Sequence, residues 1–87
     1  MAQVVLARRA RQQLLGLDWP LIDAVEDALG LLERDPYIGH ALRGRLHGLR
    51  SLRVGTYRII YQLSDDGQIV RVAAIRHRAI AYRTARR

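Results

Sequence analysis

The sequence predicts an α+β fold with the element order β-α-α-β-β-β, in which an antiparallel meander packs on a helical hairpin and a short basic tail follows. Two observations lead to this fold. Apolar residues recur at three- and four-residue steps early in the chain, as in helices, and at two-residue steps from about residue 49, as in strands. The length of 87 residues fits a single domain, residues 1–87, with a modest core.

The N-terminal part is expected to form one strand and two helices. Residues 4–6 are an apolar run typical of a short buried strand, and residues 8–15 follow as a helix that Gly16 can end. Asp18 is expected to cap the second helix, with Pro20 in its first turn. The apolar stripe of that helix consists of Leu21, Val25, Ala28, Leu29 and Leu32.

Residues 37–47 are expected to be a loop, and the meander begins after it. Gly55-Thr56 has glycine first, which a type II′ turn requires, and Asp66-Gly67 indicates a type I′ turn. Each turn would join two strands rich in β-branched and aromatic residues. The three strands are expected at residues 49–54, 57–63 and 68–75.

Two-residue turns at these places fix which residues face each other. Arg53 is then opposite Arg58, and Arg58 is opposite Ile75. Alternation along the strands gives the sheet a core face, covered by the helices, and an outer face. The expected core face holds Leu52, Val54, Tyr57, Ile59, Tyr61, Leu63, Val70, Val72 and Ala74. The expected outer face holds Ser51, Arg53, Arg58, Ile60, Gln62, Arg71, Ala73, Ile75 and His77.

Charge is divided unevenly along the chain. Residues 1–39 contain four arginines and six acidic residues, whereas residues 40–87 contain eleven arginines and two acidic residues, so the formal charges are −2 and +9. Like charges that face each other across a ladder repel, so Arg53 opposite Arg58 favours an anion bound on the outer face. The guanidinium group fits phosphate or carboxylate in pairs of hydrogen bonds.

The C-terminal half resembles the RelE/ParE superfamily of bacterial toxins. The resemblance is carried by Leu-Arg-Gly at residues 42–44, by Leu-Arg-Val-Gly-Thr-Tyr-Arg-Ile-Ile-Tyr at residues 52–61, and by His77-Arg78 with Tyr82 four residues later. The predicted element order fits as well, so the resemblance covers nearly the whole chain. It implies the toxin of a type II toxin–antitoxin pair.

RelE-like members of the superfamily cut messenger RNA in the ribosomal A site without a metal or cofactor. The 2′-hydroxyl of the messenger attacks the adjacent phosphate, and basic side chains stabilise the charged phosphorane. ParE-like members share the fold but inhibit DNA gyrase. The resemblance therefore implies a metal-independent, ribosome-dependent endoribonuclease, with a gyrase inhibitor as the alternative.

The resemblance also assigns candidate site residues. Arg58 matches the central arginine of the Tyr-Arg motif, and either Arg76 or Arg78 matches a second arginine. Tyr82 matches a C-terminal tyrosine that stacks on a base or moves a proton in some members. A wider set of arginines is expected to bind RNA phosphates: Arg53, Arg50, Arg71, Arg43 and Arg45.

The chain departs from RelE at the position of a general base, because RelE has lysines on the strand where this chain has Arg50 and Arg53. An arginine side chain does not release its proton, so it cannot serve as a base. The remaining groups are His77, His40, His47 and Tyr82. Alternation places His77 on the outer face, which makes it the preferred acid–base residue.

The family also implies a partner, a cognate acidic antitoxin of the RelB type in a hetero-oligomer. The expected location is the cytoplasm, which the absence of cysteine suits, and no apolar run is long enough to span a membrane. A plain RNA-binding domain and an interaction module without chemistry remain alternatives, since the same arginines would hold an acidic protein. Few aromatic residues lie among them, which disfavours base stacking.

Overall fold

The computed structural model describes residues 1–79, in which two helices cover one face of a mixed sheet. The helices are α1 (Arg8–Leu15) and α2 (Leu21–Arg34). The strands are β1 (Gln3–Leu6), β2 (His40–Ala41), β3 (Arg50–Val54), β4 (Tyr57–Leu63) and β5 (Ile69–His77). The predicted fold class is confirmed, with β2 and a 3-10 helix (Gly44–Leu46) added within the expected loop.

The strand order is β1-β5-β4-β3-β2, and β1 is the strand that pairs in parallel, with β5. The core lies between the helices and the sheet, because the apolar stripes of α1 and α2 face the apolar side of β4 and β5. Its fully buried members include Ala10, Val25, Leu32, Ile59, Tyr61, Val70 and Val72. No helix within residues 1–79 is long and apolar enough to cross a membrane.

The N-terminal elements differ from the prediction in two details. β1 is an edge strand rather than a buried one, so Val5 is 41% exposed. The Asp18 cap is wrong: α2 begins at Leu21, so Pro20 occupies the N-cap position and no side chain caps the helix. Asp18 contributes its backbone carbonyl instead, which accepts a hydrogen bond from the Ile22 amide at 3.0 Å.

The first hairpin turn is confirmed, with Gly55 at φ +59° between β3 and β4. The type I′ assignment of the second turn is wrong, because glycine alone has a positive φ within residues 1–79 and Asp66 does not. The Gly67 amide donates to the Ser64 carbonyl at 2.9 Å, which closes a turn over Asp65 and Asp66. Gly67, at φ +70°, then leads into β5.

The Asp66 carboxylate holds this second turn. It accepts hydrogen bonds from the Gln68 amide at 3.0 Å and from the Ser64 hydroxyl at 2.7 Å. These bonds favour the charged form, so they lower the pKa of Asp66 below its ordinary value. Although the turn type differs, Gln62 still pairs with Arg71, as the sequence predicts.

A β-bulge in β5 changes the pairing beyond that point. Ile60 pairs with Ala74 but the next residue, Tyr61, pairs with Val72, so Ala73 is an extra residue in β5. The expected pairing of Arg58 with Ile75 is therefore wrong by one residue, and Arg58 pairs with Arg76.

The bulge inverts the predicted facing of the last part of β5. Ile75 pairs with the core residue Ile59 and is only 2% exposed, whereas the prediction placed it on the outer face. His77 pairs with Tyr57 on the core-face side, and Ala74 moves to the outer face. These corrections have a single cause, because one inserted residue exchanges the two faces of every following position.

Candidate functional site

Three arginines form a row across the three central strands of the outer face, close to the turn between β3 and β4. Arg53 on β3 pairs with Arg58 on β4, and Arg58 pairs with Arg76 on β5. Directly opposite residues have Cβ atoms about 5 Å apart, so the three side chains leave neighbouring points of the sheet. We call Arg53, Arg58 and Arg76 the arginine row.

The strand pairing distinguishes the positions of two arginines that the sequence left as alternatives. Arg76 and Arg78 both matched the second arginine of the family motif, and the bulge brings Arg76 beside Arg58. Arg78 lies in the turn that follows β5, where its backbone amide donates to the Thr56 carbonyl at 2.6 Å. Its side chain is exposed, beyond the end of the paired strand.

Like charges lie side by side along the arginine row. Like charges directly opposite one another are destabilising, and Arg58 has such a neighbour on both sides. Arg58 and Arg76 are half-buried and make interactions within the protein, while Arg53 is exposed. A phosphate bound above the row would replace repulsion with charge-assisted hydrogen bonds.

A second row lies beside the arginine row on the same face. His40 on β2 pairs with Ser51 on β3, Ser51 pairs with Ile60 on β4, and Ile60 pairs with Ala74 on β5. Ser51 and Ile60 are 1% and 6% exposed, so the outer face is partly covered here, which the sequence did not predict. His40 is exposed at the edge of the sheet.

Arg50 does not join the arginine row. It pairs with Tyr61 and therefore faces the helices, where its Nη2 atom donates to the carbonyls of Gly39 at 2.6 Å and Tyr37 at 3.0 Å. Its guanidinium carbon also lies 5.6 Å from the centre of the Tyr37 ring. Arg50 thus anchors the segment before β2, and these contacts direct it away from a ligand on the outer face.

The hydroxyl of Tyr61 completes this anchor. It donates to the Pro36 carbonyl at 2.9 Å and accepts from the Gly39 amide at 3.1 Å. The ring is fully buried, as the sequence predicts for a core residue. The anchor itself could not be read from the sequence, because it joins residues 22 and 25 positions apart.

The other candidate phosphate ligands are dispersed. Arg71 is on the outer face but pairs with Gln62, four residues along β4 from Arg58, or roughly 13 Å away. It lines a shallow cavity of about 410 Å³ with Ser64 and Asp65. Arg43 and Arg45 are exposed, at the start of the 3-10 helix and within it.

His77 is not on the outer face. Its ring packs edge-on against Tyr57, with ring centres 5.5 Å apart, and its Nδ1 atom accepts a hydrogen bond from the Ala79 amide at 3.1 Å. The expectation that His77 lies among the arginines is therefore wrong, and the cause is the bulge at Ala73. Tyr82, the remaining candidate, lies outside the described residues.

The comparisons with known proteins agree with this fold. The family model described as the ParE toxin of type II toxin–antitoxin systems, parDE, matches residues 4–82. Toxin RelG of Mycobacterium tuberculosis is 42% identical over 64 residues, which are 72% of this chain and 74% of RelG. Toxin RelE of the same organism is 38% identical over 60 residues, which are 68% of this chain and 62% of that protein.

Solved structures show the same architecture. The toxin–antitoxin complex RelBE2 from Mycobacterium tuberculosis contains a chain with a TM-score of 0.79 and 37% identity, covering 88% of this chain and 98% of that chain. The isolated E. coli toxin RelE has a TM-score of 0.74 and 19% identity, and the match covers 99% of this chain and 98% of that one. At this identity the likeness supports the fold alone. Since the family model matches nearly the whole sequence, this protein belongs to the ParE toxin family of type II toxin–antitoxin systems, within the RelE/ParE superfamily.

Proposed function

We propose that this toxin is a metal-independent endoribonuclease that cuts messenger RNA in the ribosomal A site and so inhibits translation. The observation that carries the proposal is the arginine row, in which three permanently charged groups lie on adjacent strands. A phosphodiester is negatively charged and has two non-bridging oxygens, which a guanidinium group can bind with a pair of hydrogen bonds.

The arginines would act on the transition state of an internal transfer. The 2′-oxygen forms a bond to the adjacent phosphorus, the bond from phosphorus to the 5′-oxygen breaks, and the products are a cyclic phosphate and a 5′-hydroxyl. Negative charge grows on the phosphorane oxygens as the new bond forms. Arg53, Arg58 and Arg76 would together stabilise that charge.

The relatives support a RelE-like activity over a binding role. RelG and RelE, the two curated toxins at 42% and 38% identity, both carry RelE-type names. Solved neighbours include toxins in complex with RelB and YefM antitoxins, so we further propose that a cognate antitoxin covers this toxin in a hetero-oligomer. An acidic segment laid over the arginine row would suit the +9 charge of residues 40–87.

A gyrase inhibitor of the ParE type is the second candidate, and one observation favours it. The family model that matches residues 4–82 is named for the ParE toxin. In that case the basic face would bind protein, and toxicity would not depend on a phosphoryl-transfer site.

Induced expression in a bacterial host separates the two candidates. The 5′ ends of a reporter messenger are mapped by primer extension for the wild type, for Arg58→Ala, and for Arg9→Ala, which removes the same charge from the exposed side of α1. Ribonuclease action predicts new cuts inside translated codons that persist in Arg9→Ala and disappear in Arg58→Ala. Growth arrest without cuts, accompanied by linearised plasmid DNA, would instead identify a gyrase inhibitor.

A further inference from the structure

The proposed cleavage needs a group that accepts the 2′-hydroxyl proton, and the arginine row cannot provide one. Arginine stays protonated in proteins, so Arg53, Arg58 and Arg76 can stabilise charge but cannot remove a proton. The proton acceptor must therefore be another side chain on the outer face, within reach of a phosphate held by the row.

His40 has that position. It pairs with Ser51, which is two residues before Arg53 on β3, so His40 and Arg53 are diagonal neighbours on one face. Diagonal neighbours in a sheet have Cβ atoms about 7–8 Å apart, a gap that a histidine and an arginine can span together around a ribose-phosphate unit. Ser51, opposite His40, is a small residue whose side chain is 1% exposed, so neighbouring groups cover it.

The other described histidines are elsewhere. His77 faces Tyr57 on the core-face side, and its Nδ1 atom is engaged by the Ala79 amide. His47 ends the 3-10 helix and does not belong to the sheet. Within residues 1–79, His40 is thus the histidine that shares a face with the arginine row.

The segment before His40 is built to hold it in place. Gly39 donates its amide hydrogen to Tyr61 at 3.1 Å and accepts a hydrogen bond from Arg50 at 2.6 Å. A Cβ atom at Gly39 would lie 2.8 Å from the Ser51 carbonyl oxygen, so the backbone approaches β3 as closely as glycine permits. This packing holds the two-residue strand β2 against β3, with His40 opposite Ser51.

We propose that His40 is the catalytic residue that takes the 2′-hydroxyl proton, an inference that rests on the ribonuclease function proposed above. As the proton moves from the 2′-oxygen to the imidazole, the 2′-oxygen bonds to phosphorus and the 5′-oxygen leaves with its electron pair. The 5′-oxygen then takes a proton from water, and the imidazolium returns its proton to solvent. The reaction needs no oxidant, no metal and no reactant other than water.

The charged groups around His40 are arginines. Arg53 faces it diagonally from β3, Arg43 and Arg45 follow it in the chain, and Arg50 points to the opposite side of the sheet. A general base reacts in its deprotonated form, so the reaction rate should be lower at acidic pH.

The test is single-turnover cleavage of a messenger on purified ribosomes, measured from pH 5.5 to 8.5. Wild type is compared with His40→Gln and with His47→Gln, a matched control in which an exposed histidine outside the sheet is changed in the same way. General acid–base groups contribute roughly 10²–10⁴-fold, so the rate of His40→Gln should fall by about that factor and lose its dependence on pH. His47→Gln should match the wild type.

Chemical rescue distinguishes a catalytic role of His40 from a structural one. Added imidazole should restore cleavage to His40→Ala but not to Arg58→Ala, and all variants should unfold at similar urea concentrations. If the wild type cuts and His40→Gln cuts at the same rate with the same pH profile, the role of His40 is refuted while the ribonuclease remains. If the wild type leaves the messenger intact, the ribonuclease proposal fails, and the role of His40 fails with it.

Discussion

Removing one oxygen atom, by the substitution Tyr61→Phe, is expected to destabilise the fold strongly. The hydroxyl of Tyr61 accepts a hydrogen bond from the buried Gly39 amide at 3.1 Å and donates one to the Pro36 carbonyl at 2.9 Å. Phenylalanine keeps the ring and its packing, so the substitution isolates these two bonds.

The size of the effect follows from the two groups that lose their partner. A buried amide without an acceptor costs about 1–3 kcal/mol, and the lost bond to the carbonyl adds about 0.5–1.5 kcal/mol. The contact from Arg50 is long, at 3.4 Å, and Arg50 keeps its bonds to two carbonyls, so it adds little. The free energy of unfolding should therefore drop by about 2–4 kcal/mol, which would shift Tm by roughly 10 °C or more.

Urea unfolding followed by circular dichroism at 222 nm measures this change. Tyr37→Phe is the matched control: the same atom is removed from a ring in the same segment that is 59% exposed, and its effect should stay within about 0.5 kcal/mol. A loss below about 1 kcal/mol for Tyr61→Phe, with an unchanged dependence on urea, would refute the claim that this hydroxyl anchors β2.

Charge, turn chemistry and glycine packing give further expectations. In a plot of log affinity for single-stranded RNA against log salt concentration, Arg53→Gln should reduce the slope by about 0.7, as measured by fluorescence anisotropy. An unchanged slope would show that Arg53 does not contact an RNA phosphate. Hydrogen bonds lower the pKa of Asp66, so the wild type should lose stability as pH falls below about 4. Asp66→Asn should lose less stability over the same pH range, and parallel curves of Tm against pH for the two proteins would contradict this. Gly39→Ala should destabilise the fold by about 1–3 kcal/mol, because the added Cβ would lie 2.8 Å from the Ser51 carbonyl oxygen. Gly30→Ala adds a Cβ in open space within α2 and should stabilise the fold by up to about 1 kcal/mol. Equal midpoints of urea unfolding for the two variants would refute this contrast.

Patterns among residues close in sequence were sufficient to predict most of the fold. Periodicity located both helices and the meander, and the Gly55-Thr56 turn gave the pairing of Arg53 with Arg58. These features depend on residues that are close in sequence, where alternation and turn chemistry operate. β2 was missed because two residues carry no periodic signal, and the strand forms through contacts with Tyr61 and Arg50 far along the chain.

The candidate site was predicted less well, for a different reason. The bulge at Ala73 has no local signature, since Ala73 and Ala74 fit a regular strand as well as an irregular one. Missing it exchanged the positions of Arg76 and His77 relative to the outer face. The family motif named Arg58, Arg76 and Arg78 as candidates, and the pairing of the strands shows that Arg58 and Arg76 lie together.

The bulge gives β5 one residue more than its pairing with β4 requires. An in-frame deletion of Ala73 would remove this extra residue while Ile60 stayed opposite Ala74 and Arg58 stayed opposite Arg76, with the net charge unchanged. Regular pairing of the full-length strand would instead place Ile75 opposite Arg58 and turn Arg76 toward the helices. The loss of one codon at this point would therefore preserve the arginine row, so relatives with and without the extra residue could carry the same row.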